Sequence, residues 1–179
     1  NSLMNNSEIA FPHLDETVAV IGSGIAGCLT ANVLSSSGYN VSIFESSEEM
    51  FSGASSGALQ AHLGGLYSGS IQTAQECLTS AIELKKSMPY AFNGQNAQFL
   101  VADQSEISME DYTNFYNQHT DYYASLPIDD QVFGPPESFY SVLDAHELSF
   151  VKNVEGGIST HEPGLNINLI RSVLLNELD

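Results

Sequence analysis

Thr17-Val18-Ala19-Val20-Ile21-Gly22-Ser23-Gly24-Ile25-Ala26-Gly27 decides how this chain reads. The first five residues are a short, β-branched, nearly continuous apolar run that stops at glycine. Such a run predicts a strand buried on both faces. From Ile25 to Ser36 the apolar residues Ile25, Cys28, Leu29, Val33 and Leu34 recur at helical spacing, and Gly38 supplies a C-terminal stop. Asn40-Val41-Ser42-Ile43-Phe44-Glu45 reads as a second strand ending on an acid. Strand, helix and strand in so short a span form a βαβ unit.

Between the first strand and the helix lies Gly22-Ser23-Gly24-Ile25-Ala26-Gly27, a GxGxxG. Alone it is a weak signal, but here its context is that of a dinucleotide fingerprint. Gly22 permits the tight turn, Gly24 lets a pyrophosphate approach the backbone, and Gly27 lets helix and strand pack closely. The helix N-terminus supplies N–H groups and partial positive charge. Glu45 stands where an acid would bind ribose hydroxyls. Ser46 and Ser47 follow it, so no base is present to accept a 2′-phosphate, which disfavours NADP. The fingerprint does not separate NAD from FAD. It is also compatible with a strand-turn-helix corner that merely needs glycines.

Outward from the fingerprint, residues 46–70 are rich in Gly, Ser and Ala, too long for an idle connector. Thr73–Ser87 is an amphipathic helix with Ala74, Cys77, Leu78, Ala81 and Ile82 on one face. Ala97–Ala102 is a strand. A helix capped by Ser108 runs to about Tyr123, and its tyrosines suit core or subunit packing. Residues 126–138 are irregular, a short helix is expected around Leu143–Leu148, Gly156–Thr160 is a glycine-led strand, and Asn166–Leu178 is a helix.

The 179 residues carry four Lys+Arg against 22 Asp+Glu, a formal net charge of −18. An acidic protein of this kind repels phosphate backbones and anionic membrane surfaces. Hydrophobic residues at 42% exclude a wholly disordered tail. No apolar run approaches the roughly 18–20 residues of a membrane span. Cys28 and Cys77 make no disulfide framework and read as small apolar residues in a reducing, cytoplasmic setting. Residues 1–16 show neither the basic nor the apolar region of a secretory signal, and Met4 reads as a natural start. His119, His146 and His161 have no ligand partner at i+4, so no metal is expected.

Val18–Glu45, followed by Ser52-Gly53-Ala54-Ser55-Ser56-Gly57-Ala58, resembles the D-amino-acid oxidase (DAO) family of FAD-dependent oxidoreductases. His62-Leu63-Gly64-Gly65-Leu66-Tyr67 and Gly156–Gly164 resemble it too. Two departures stand out: Ser46 replaces a base common after the acid, and the family's chains are longer. The resemblance implies an α/β chain with a Rossmann-like FAD-binding domain and part of an α+β substrate domain. The expected organisation is a tail at 1–14, FAD-binding residues at 15–90, a partial substrate domain at 91–160, and a return toward the first domain at 161–179. The chain reads as a truncated N-terminal part of such an enzyme.

It further implies that Gly22, Ser23, Gly24, Ile25, Ala26 and Gly27 face the pyrophosphate and Glu45 and Ser46 the ribose, with Ala54, Ser55, Ser56 and Gly57 near the flavin end. His62 is the candidate for tuning flavin or contacting substrate; a loop histidine satisfied by backbone is the plain alternative. The implied activity is oxidation of an amine or amino acid at a C–N bond by hydride transfer to FAD. Alternatives are a 2-hydroxy acid oxidase, an NAD-dependent dehydrogenase, or a non-catalytic module completed by a partner chain. The expected partners are a small-molecule substrate and an oligomeric mate or missing C-terminal half.

Overall fold

The computed structural model describes residues 16–48, 50, 61–94 and 96–178. Contacts divide the chain into two compact units, residues 1–56 with 168–179, and residues 57–167. Residues 54–57, expected near a flavin, lie outside the described residues.

The first unit opens with β1 (Thr17–Ile21), α1 (Ile25–Ser36) and β2 (Asn40–Phe44). The strands pair in parallel from Thr17↔Asn40 to Ile21↔Phe44. Helix α1 buries Cys28 and Ala31. It ends in a Schellman motif. Gly38, at φ 93°, donates its N–H to Ser35 O at 2.9 Å, and Tyr39 donates to Leu34 O at 3.1 Å. Only a residue tolerating positive φ can close a helix this way.

Burial of β1 on both faces is not what the structure shows. Val20 is buried, but Ile21 is 81% exposed, and Phe44 and Val33 also stand out of the surface. The sheet holds two strands among the described residues. A parallel strand is covered on both faces only when helices lie on each side of a wider sheet. The helix α4 (Ile167–Leu178) groups with this unit and buries Ile170 and Leu174.

The second unit is built on an antiparallel sheet ordered β3-β5-β4, with β3 at Ala97–Ala102, β4 at Tyr140–Val142 and β5 at Val154–Thr160. Two helices accompany it, α2 (Ile71–Ser87) and α3 (Met109–Ser125). Each starts at a serine whose hydroxyl accepts a first-turn N–H: Ser70 from Thr73 at 3.3 Å, and Ser108 from Asp111 at 3.1 Å. Lys85 and Lys86 end α2, and Glu110 and Asp111 begin α3, each complementing the helix dipole. Tyr112, Phe115 and Tyr116 of α3 pack with Ala74, Val101 and Ile158. Leu63, Leu78, Ile82, Tyr123, Phe133 and Phe139 form a second cluster. Each large side chain buried this way contributes roughly 1.5–3 kcal/mol.

Strand β5 runs through the centre because Gly156 and Gly157 leave room for it. A Cβ at Gly157 would lie 2.7 Å from Leu100 Cδ2 and 2.8 Å from Leu143 Cδ1. The helix expected at Leu143–Leu148 is instead a run of turns. Asp144 and Glu147 do bond reciprocally, each N–H donating to the other's carboxylate at 2.8 Å, as at a helix start. One turn is too short to propagate a helix, and Leu143 N–H is already given to Gly157 O at 2.9 Å. Strand β4 is not legible in the sequence either, since three residues are too few to establish an alternation.

No helix among the described residues is long and apolar enough to cross a membrane.

Candidate functional site

The glycine fingerprint forms as its spacing requires. Gly22 sits at φ 94° and donates its N–H to Phe44 O at 2.7 Å, tying the turn to the end of β2. Gly24 caps α1 in an extended conformation with no side-chain hydrogen bond. The first-turn N–H groups of a helix have no intrahelical acceptor, and no acid stands among them here. Ile25 and Ala26 supply two of those groups. At Gly27 a Cβ would overlap the Gly22 carbonyl oxygen and lie 3.1 Å from its carbon. The third glycine is therefore a packing requirement of helix on turn.

Glu45 reaches further than the sequence indicated. Its Oε2 accepts from both the Ser23 N–H at 2.9 Å and the Ser23 hydroxyl at 2.6 Å. Its Oε1 accepts from Ser47 N–H at 2.9 Å and from the Ser46 hydroxyl at 3.3 Å. The structure thus brings Gly22, Ser23, Gly24, Gly27, Glu45 and Ser46 to one end of the parallel pair. Ser23, expected to face the pyrophosphate, is fully buried and links the acid to the glycine turn.

The Ser23 hydroxyl, then the Ser23 and Ser47 amides, lower the Glu45 carboxyl from 4.5 to about 2. The native state therefore holds the ionised form more tightly than the unfolded chain does. That contribution is complete above about 4.5 and is lost as pH falls through about 2. Urea midpoints of the protein and its Glu45→Gln variant should differ at pH 6 and converge toward pH 2. A gap that stays constant over this range would refute the linkage.

His62 belongs to the second unit, within a glycine loop held by buried polar groups. The Leu63 carbonyl is 2.5 Å from His119 Nε2. Burial lowers the His119 pKa, so the ring is neutral and donates through Nε2. Gly65 is held at both ends: Tyr112 Oη donates to its carbonyl at 2.7 Å, and its N–H donates to Glu162 Oε1 at 2.8 Å. Gly64 sits at φ 113°, where a Cβ would lie 2.8 Å from His119 Nε2.

Glu162 is the residue the sequence reading missed. It is 1% exposed, and its Oε2 lies 3.6 Å from His62 Nδ1. Burial raises its carboxyl pKa, opposed by the Gly65 amide, His62 and the Leu63 amide. A single acid between His161 and Pro163 carries no periodic signal; only its tertiary neighbours distinguish it. His62 Nδ1 thus faces a buried carboxylate. Cys28 is buried, whereas Cys77 is half-buried. No cluster able to hold a metal occurs among the described residues.

A family model described as DAO, FAD dependent oxidoreductase, matches residues 17–137. No curated protein matches the chain. Among solved structures, L-proline dehydrogenase from P. horikoshii is similar in fold, with a TM-score of 0.52 and 17% identity. The match covers 91% of this chain and 41% of that one. The chain therefore spans less than half the length of that structure.

Proposed function

The chain belongs to the DAO family of FAD-dependent oxidoreductases, and on that footing we propose that the protein oxidises the C–N bond of a small amine or amino acid. The observation that carries the cofactor half of this reading is the fingerprint's geometry. Gly27 leaves no space for a side chain, Gly24 leaves the α1 N-terminus uncapped, and Glu45 stands at the same strand end. Those residues fit a dinucleotide. Gly24, Ile25, Ala26 and Gly27 would hold the pyrophosphate on backbone N–H groups, while Gly22 and Ser23, whose N–H groups go to Phe44 O and Glu45 Oε2, would shape the turn beneath it. Glu45 and Ser46 would hold the adenosine ribose, and Ala54, Ser55, Ser56 and Gly57 would lie toward the flavin. Bound FAD supplies a two-electron acceptor for hydride from the carbon bearing nitrogen.

Two features favour an amine. The similar fold is that of a proline dehydrogenase. The net charge of −18 also produces a field that attracts ammonium and repels 2-hydroxy acids, which are anions. His62 is the residue of this chain that we assign to the substrate side.

The test is spectroscopic. The complete protein is expected to purify yellow and to bleach anaerobically with amines or amino acids (sarcosine, L-proline, a D-amino acid). Bleaching by 2-hydroxy acids alone would overturn the C–N assignment. A colourless protein that binds NAD would overturn the cofactor assignment.

A further inference from the structure

Two buried polar atoms of the second unit lie close together. Glu162 Oε2 and His62 Nδ1 are 3.6 Å apart, and neither has a hydrogen-bond partner among the described residues. The carboxylate's other oxygen is committed, because Gly65 N–H donates to Oε1 at 2.8 Å. The rest of the His62 side chain is open: it is 41% exposed. It lines a pocket of about 310 Å³ with Glu76, Cys77, Ser80, Leu84 and Leu165.

We propose that Glu162 is a positioning residue: it holds His62 with the proton on Nδ1, so that Nε2 is left bare as an acceptor for an ammonium or hydroxyl group in that pocket. A ring nitrogen facing a carboxylate carries the proton, and the partner of one nitrogen decides the state of the other. The neighbouring titratable groups do not compete. Burial raises the Cys77 thiol, helped by the Glu162 and Glu76 carboxylates. Burial likewise raises the Tyr112 and Tyr116 phenols on α3. All three stay protonated near neutrality, and Glu76 is the acid among the described residues that line this pocket. A bare Nε2 in a pocket that Glu76 also lines favours a ligand that donates, not an anion.

The grip on Gly65 makes the idea testable with one atom. In Glu162→Gln the amide has a single oxygen, and Gly65 N–H claims it. The amide NH₂ then turns to His62 Nδ1, which must accept. The His62 tautomer is expected to invert. The complete protein would be labelled with ¹⁵N-histidine and studied by long-range ¹H–¹⁵N correlation at alkaline pH, where imidazoles are neutral. His62→Asn assigns the signal. The expected result is Nδ1–H in the wild type and Nε2–H in the variant. A bare Nδ1 in the wild type overturns the proposal by itself, even if the variant fails to fold. The same tautomer in both proteins also overturns it.

For the pocket, methylammonium chloride is the probe. It should shift the wild-type Nε2 signal and not that of Glu162→Gln; no shift in the wild type overturns the ligand assignment. The meaning for catalysis rests on the amine-oxidase reading, but the tautomer does not. Nδ1–H in a protein that amines fail to bleach supports the positioning role and sinks only that reading.

Discussion

Gly27→Ala is expected to strip the flavin from the protein. The added methyl would overlap the Gly22 carbonyl oxygen, a backbone atom that cannot swing aside. Gly22 is itself fixed, at φ 94° and by its N–H bond to Phe44 O. The strain has one outlet, which is to push α1 away from β1. That moves the helix N-terminus off the position where the turn and Glu45 meet. Overpacking of this kind destabilises by about 1–3 kcal/mol, and the binding geometry is lost with it. Affinity for FAD should fall at least ~100-fold, equivalent to ~2.8 kcal/mol. The measurement is the ratio of flavin to protein absorbance after exhaustive dialysis, with circular dichroism as the check on folding. A variant that stays as yellow as the wild type would show that Gly27 is a tolerant corner and that the fingerprint does not hold the cofactor.

The second large effect is expected at Gly65, in the other unit. A Cβ there would collide with the Tyr116 hydroxyl and lie 2.5 Å from Phe99 Cε2 and 2.8 Å from Glu162 Oε1. These atoms come from α3, β3 and the segment after β5, so no single shift relieves all three. Tyr116 and Glu162 are each 1% exposed and have no solvent to retreat into. The Gly65 backbone is pinned as well, by Tyr112 at its carbonyl and Glu162 at its N–H. Gly65→Ala should therefore destabilise by about 3 kcal/mol, lowering Tm by on the order of 10 °C. Gly69 in the same loop provides the control, since a Cβ there meets nothing within 4 Å. Gly69→Ala should stay within about 0.5 kcal/mol of the wild type. Equal melting temperatures for the two variants would mean that Gly65 has the same freedom as Gly69.

The two glycines differ in how far each was legible. Gly27 announces itself, because a strand pattern precedes it, a helix pattern follows, and the GxGxxG spacing assigns each glycine a task. Gly65 sits in a run of small residues with no such frame. Its neighbours come from Phe99, Tyr116 and Glu162, far along the chain. The helix expected at Leu143–Leu148 failed for a related reason: its local capping pair is real, but the Leu143 backbone was taken by a distant strand.

What the sequence determined by itself is local. The βαβ order, the fingerprint turn, the Ser108 cap of α3 and the helical stripe of α2 each follow from periodicity or from residues within one or two turns. Of these, the βαβ order and the fingerprint turn also carried the family resemblance. What only the tertiary structure decided is long-range. Glu45 clasps Ser23, β5 lies between β3 and β4, and Glu162 is placed with Gly65 on one oxygen and His62 at the other. A buried carboxylate has no pattern in the chain; its role is set by which donors the fold brings to its two oxygens, and those lie 97 residues away at Gly65.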